Sequence, residues 1–208
     1  MPKQERPLNA LTQFLPPDTV EMVMPYFNEH VIYLNLTHER KSVFGDYRNP
    51  SAAHPYHRIS VNATLNVYSF LITLLHEIAH MLTYVQYKNK VSPHGAEWKN
   101  KFKQTLLPFV GKGIFPADVE RALNAYLKNP AASTCTDPDL YKALHRYDKG
   151  KKGWKYIDEI QISEQFQTED GRTFVKVEKL RTRSKCKDLQ SGKMYLFPGV
   201  AMVKPVVS

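Results

Sequence analysis

The chain has 208 residues and carries 29 Lys and Arg against 20 Asp and Glu, a formal net charge of +9. A hydrophobic content of 42% with 12% aromatics is enough for a packed core and excludes a disordered or low-complexity chain. Two cysteines far apart in sequence, Cys135 and Cys186, exclude a disulfide framework and a four-cysteine metal site. No apolar run suits a membrane span, and the opening MPKQERPLNALTQFLPP lacks the apolar core of a signal peptide. The expectation is a cytoplasmic, reducing setting and a monomer. The basic balance suits polyanionic partners such as nucleic acid.

In chain order, Leu11 to His30 reads as a first helix whose body starts after Pro16-Pro17, with Asp18 as N-cap and Pro25 as a possible break. Val31–Leu36, Val43–Tyr47 and His57–Asn62 read as strands. A charged turn over 37–42 and a loop over 49–55 separate them. His30, His38, His54 and His57 fall here without ligand spacing and read as surface or structural residues. Tyr47 and Arg48 read as an edge strand that can pair with an extended peptide.

Asn66 to Tyr87 reads as one long buried helix without Gly or Pro, and its centre is His76-Glu77-Ile78-Ala79-His80. Histidines four apart share a helix face, because a turn takes about 3.6 residues. Their imidazoles can hold one Zn²⁺ at roughly 2.0–2.1 Å each. Glu77, beside the first histidine, is placed to move a proton. Burying His, Glu and His among Leu71, Ile72, Leu74, Leu75 and Ile78 is costly unless a metal or other partners satisfy them.

A catalytic zinc needs a third protein ligand. The extended H-E-x-x-H-x-x-G-x-x-H pattern fails, since Thr83 and Gln86 occupy the Gly and His places. His94, in the turn Ser92-Pro93-His94-Gly95, is the preferred third ligand. Glu97 is the rival carboxylate, and is read as a residue that orients a ligand. A return helix follows over Glu97–Phe109. Its Trp98, Phe102, Leu106 and Phe109 read as core, and Lys99, Lys101 and Lys103 as a solvated face. Pro116 to Leu127 is one more helix.

The stretches LLHEIAH and SPHGAEW resemble the SprT-like zinc metalloproteases, relatives of the Spartan DNA–protein crosslink proteases. Gly45-Asp46-Tyr47-Arg48 and Arg58-Ile59-Ser60-Val61-Asn62 are similar to that family's strands before the zinc helix, and the resemblance runs over about residues 10–110. It implies an α+β, zincin-like metalloprotease domain. It also implies one zinc on His76, His80 and His94, Glu77 as catalytic acid/base, and protein substrates that include proteins bound to DNA. The sheet expected before the helix is small and antiparallel.

A domain boundary is expected at 134/135. The protease domain would cover 1–134, and 135–208 would form a small basic β-rich module. After a short helix over Leu140–Tyr147 and the basic loop KGKKG, strands are expected over Lys155–Ile162, Thr173–Leu189 and Met194–Val203. Turns at Glu169-Asp170-Gly171 and Gln190-Ser191-Gly192 would shape three or four antiparallel strands. Many SprT-like proteins carry a zinc ribbon in this place. Two cysteines cannot supply four thiolates, so the expectation is a degenerate ribbon without metal. Within KLRTRSKCK, residues Lys179, Arg181, Arg183, Lys185 and Lys187 alternate with Leu180, Thr182, Ser184 and Cys186. On one strand those cations would share a face. That face reads either as a solvated surface that discourages aggregation or as a nucleic-acid-binding strip for phosphates.

Overall fold

The computed structural model describes residues 8–38, 44–128, 130, 137–148 and 153–206. The chain divides into two compact units, 1–148 and 149–208. The division therefore lies beyond the expected 134/135. The helix that follows position 134 buries Leu140, Ala143 and Leu144 in the core of the first unit and belongs with it. Position 134 itself, Cys135 and most of the basic loop 149–153 lie outside the described residues, as does most of the turn 37–42.

The first unit is mixed α and β. A 3-10 helix over Leu8–Gln13 precedes α1, Val20–Glu29, so the expected first helix is two pieces separated by Pro16-Pro17. Asp18 has a positive φ of 62° and does not cap; Thr19 is the N-cap residue, and its Oγ1 donates to Pro16 O at 2.7 Å. Pro25 lies inside α1 without ending it. Three strands follow: β1 (Ile32–Thr37), β2 (Gly45–Arg48) and β3 (His57–Asn62).

These strands form a sheet of order β1-β3-β2, with β3 antiparallel to β2 and parallel to β1. The antiparallel sheet expected from the sequence is thus a mixed one. The short 49–56 connection turns β2 back beside β3, and β1 reaches the far edge of β3 in the same direction as β3. One face, with Ile32, Leu34, Leu36, Tyr47, Ile59 and Val61, packs into the core, and the alternate residues face away. Helix α2, Val67–Tyr87, lies across the packed face against β2 and β3 and pairs with α3, Ala96–Leu106. Helices α4 (Ala117–Tyr126) and α5 (Pro138–His145) pack together and close the core. Among the described residues no helix is long and apolar enough to cross a membrane.

The second unit is one sheet of order β4-β9-β5-β6-β7-β8, with every pairing antiparallel. Its strands are β4 (Lys155–Tyr156), β5 (Gln165–Gln167), β6 (Thr173–Lys179), β7 (Arg183–Asp188), β8 (Met194–Pro198) and β9 (Met202–Pro205). Each of the three expected strands is broken. Lys155–Ile162 becomes β4 and a 3-10 turn over Ile157–Glu159, and Met194–Val203 becomes β8 and β9. Thr173–Leu189 becomes a hairpin that turns at 180–182, where Leu180 N donates to Arg183 O at 2.8 Å. Ile157, Ile160, Phe166, Phe174, Cys186 and Val203 form its core, with Tyr195 and Phe197 against them.

Candidate metal centre

Helix α2 is held at its start by Asn66, whose side chain accepts from Ser69 N at 3.0 Å, the usual N-cap bond. The Asn66 amide nitrogen also donates to Leu144 O and to Asp148 Oδ1, at 3.0 and 2.6 Å. The cap therefore ties α2 to the end of α5. Phe70, Leu71, Leu74, Leu75 and Ile78 are fully buried, so the helix cannot rotate without exposing them.

That rotation fixes the face on which His76 and His80 sit. Their Nε2 atoms are 3.2 Å apart. Two ligands at roughly 2.0–2.1 Å from a tetrahedral ion are separated by about 3.3 Å, so this spacing is compatible with two ligands of one ion. The turn into α3 brings in His94, whose ring centroid lies 5.5 Å from His76 and 4.6 Å from His80. One ligand atom from each of the three lies within 4.8 Å of the others. His94 Nε2 is buried and has no hydrogen-bond partner among the described residues.

Burial pushes the His76 imidazole well below its ordinary range, with His80 and His94 adding to it. Burial likewise lowers His80 to about 4, with His94 adding to it and Asp46 opposing, and burial lowers His94. Neutral imidazoles are the metal-binding form. A set of three neutral donors with one orphaned nitrogen fits a divalent, nitrogen-preferring ion such as Zn²⁺.

Glu77 is only 6% exposed. Burial first, and the charge of Asp46 second, raise its carboxyl to about 8. Against it lies the backbone of β2: a methyl group on Gly45 would stand 2.6 Å from Glu77 Oε1 and 2.8 Å from Thr73 Cγ2. Gly45 is needed for this close approach. The signal in the sequence was a glycine inside a strand.

Trp98 is fully buried, and its ring centroid lies 4.6, 5.1 and 4.7 Å from those of His76, His80 and His94. Phe102 stacks on Trp98 at 5.2 Å and lies 5.5 Å from His76. The two aromatics expected as core are core, and Trp98 also packs against all three imidazoles while Phe102 packs against His76. Glu97 does not join the cluster; its Oε2 folds back toward Gly95.

Tyr47 extends the site along β2. Its hydroxyl is 2.9 Å from His57 Nδ1, and its ring packs 6.4 Å from Tyr84, one turn beyond His80. Burial, with Tyr84 second, raises the Tyr47 hydroxyl and keeps it protonated. His57 is lowered by burial and by neighbouring His30 and Lys88. His30 and His57 are thus structural partners of this aromatic group, at 6.1 Å from each other.

The five-cation strip does not lie on one strand. Lys179 ends β6 and pairs with Asp158 at 3.1 Å, Arg181 is in the turn, and only Arg183, Lys185 and Lys187 share a face of β7. The alternation continued through a turn that contains no Gly, Pro or Asn. In the core beneath, burial lifts the Cys186 thiol to about 11.

Residues 25–111 match the model of the SprT-like family. No curated protein and no solved structure matches the chain.

Proposed function

The 25–111 segment belongs to the SprT-like family, and on that premise we propose that the chain is a zinc-dependent endopeptidase. The observation that carries the reading is the convergence of His76, His80 and His94 as neutral imidazoles beside the buried carboxyl of Glu77. Those three histidines would hold the zinc, and the bound ion would supply Lewis-acid polarisation of a scissile carbonyl and acidify its water. Glu77 accepts the proton of the attacking water at its carboxylate and passes it to the leaving nitrogen. Positive charge at the imidazoles favours the carboxylate form that can accept it, reversing the upward shift from burial. Trp98 and Phe102 hold the imidazoles in place and exclude water from behind them. The outer edge of β2, unpaired among the described strands, pairs with an extended substrate backbone, and Tyr47 borders that path.

The substrates we propose are polypeptides, including proteins bound to DNA. The net charge of +9 and the cations Arg183, Lys185 and Lys187 on β7 support that finer reading. Metal content and proteolysis are measured together on wild type, Glu77→Gln and His94→Ala, with and without single-stranded DNA. One zinc per chain, reduced in His94→Ala, with cleavage lost in Glu77→Gln, is the expected result. Zinc without Glu77-dependent cleavage would identify a zinc-stabilised binding module instead.

A further inference from the structure

The face of the first sheet turned away from α2 holds a basin of about 390 Å³, within the roughly 300–1,000 Å³ of small-ligand sites. Its floor is set by strand register. Tyr33, Arg58 and Arg48 lie side by side across β1, β3 and β2, and Asn35, Ser60 and Asp46 form the next row. Two arginines directly opposite on one face repel each other, which destabilises a sheet unless an anion lies between them. Among the described residues only one has an acidic partner: Arg48 Nε donates to Asp46 Oδ2 at 2.8 Å. Arg58 Nε is buried and has no hydrogen-bond partner among the described residues. A buried unsatisfied donor costs about 1–3 kcal/mol. Paired guanidinium groups are fitted to a phosphate, which accepts several of their hydrogen bonds at once.

The walls have a second chemistry. Tyr33 and Tyr56 place their rings 5.9 Å apart and inclined at 45°, Tyr56 is backed by His54 at 5.8 Å, and Tyr33 is exposed, so a flat ring can be laid on this pair. The Tyr56 hydroxyl is anchored 3.3 Å from His54 Nδ1. Asn35 and Ser60 bring an amide and a hydroxyl to the floor, where polar edges of a sugar or base can be met. The basin thus combines an oxyanion grip with an aromatic shelf and short polar groups.

We propose that this basin binds a nucleoside monophosphate unit, with its phosphate on Arg58 and Arg48 and its base against Tyr33 and Tyr56. The unit can be a free nucleotide or the 5′-phosphorylated end of a strand, which present the same chemistry. The site is separate from the histidine cluster, because alternate residues of β2 face opposite sides of the sheet.

The test is calorimetric titration of the zinc-loaded full chain with adenosine 5′-monophosphate, inorganic phosphate and adenosine. The monophosphate is expected to bind most tightly. Arg58→Gln should weaken it at least about tenfold, the loss of a charge-assisted contact. Tyr56→Ala should weaken the monophosphate while leaving the response to inorganic phosphate unchanged. Both variants should retain zinc content and cleavage rate, which shows that they fold. A 5′-phosphorylated tetranucleotide that outcompetes the mononucleotide identifies the strand end, and the reverse order identifies the free nucleotide. Equal affinity for inorganic phosphate and the monophosphate would mean an adventitious ion only and would overturn the proposal. Absence of binding, or binding that Arg58→Gln leaves intact, would overturn it as well.

Discussion

Substituting Gly45 by alanine tests whether the position of Glu77 governs catalysis separately from metal binding. The φ of Gly45 is not in the left-handed region, so alanine brings no backbone strain. What it brings is a methyl group 2.6 Å from Glu77 Oε1, where ordinary contact begins at 3.4 Å. The carboxylate must retreat by about 0.8 Å, which is 3.4 minus 2.6. A misplacement near 1 Å costs on the order of 10²-fold in rate, or about 2.7 kcal/mol of barrier. Overpacking against Thr73 adds a stability loss of about 1–3 kcal/mol. The three nearest atoms to the new methyl group belong to Glu77 and Thr73, not to an imidazole. Gly45→Ala should therefore keep its zinc, remain folded, and lose about 10²-fold in kcat/KM on a casein-type substrate. Near wild-type cleavage in a zinc-loaded Gly45→Ala protein would refute the reasoning. So would loss of zinc in step with loss of activity.

Three further outcomes are expected. Glu77 has a folded pKa of about 8 against an ordinary 4.5. Its contribution to stability is therefore complete below about 4.5 and is lost as pH rises through about 8. At about 1.36 kcal/mol per pH unit the loss is at most about 5 kcal/mol, so in chelator Glu77→Gln should gain on wild type in urea unfolding between about pH 5 and pH 9, and a flat difference would contradict it. Lys176, 3% exposed, donates to Ile157 O and Ile160 O at 2.9 and 2.7 Å. Lys176→Met leaves both carbonyls without that donor and should lower the urea midpoint, by about 1–3 kcal/mol in stability; a stabilised variant would refute this account. Cys186 is fully buried with a raised thiol pKa, so in a Cys135→Ser background a thiol reagent should label it only as the protein unfolds, and rapid labelling of folded protein would contradict that burial.

What could be read from the sequence depended on whether the information was local. Helix α2 carried its own period and histidine spacing, and the helix read over Asn66 to Tyr87 is found over Val67–Tyr87, with Asn66 as the N-cap that the structure adds. Strand β3 matched to the residue, because alternation over His57–Asn62 was bounded by loops. The parallel pairing of β1 with β3 was not legible, since alternation gives a face and not a direction. The 180–182 turn was missed because its residues continue the alternation on both sides without a turn-forming residue. At the site, the histidines stood out by spacing. The roles of Gly45 and Trp98 depend on long-range packing, which turns an ordinary strand glycine and a core tryptophan into supports of the site. Lys176 gave no sign in sequence that its ammonium would satisfy two carbonyls in a core.

Strand β2 is four residues long, and its alternation gives the two sides of the sheet different duties. Gly45 and Tyr47 face α2, whereas Asp46 and Arg48 face the basin. Losing or gaining a single residue inside the strand would exchange the two sets. The Asp46 carboxylate would be driven against Glu77, and Tyr47 would enter the arginine row. Chemical substitutions within β2 can be graded in effect, but a change in its length is all or nothing. The 49–56 connection beside it can change length without shifting the alternation of β2, although its His54 and Tyr56 line the basin. Insertions in this part of the chain should therefore be tolerated in the connection and lethal to activity in the strand, a boundary that a linker-scanning library would locate to a single residue.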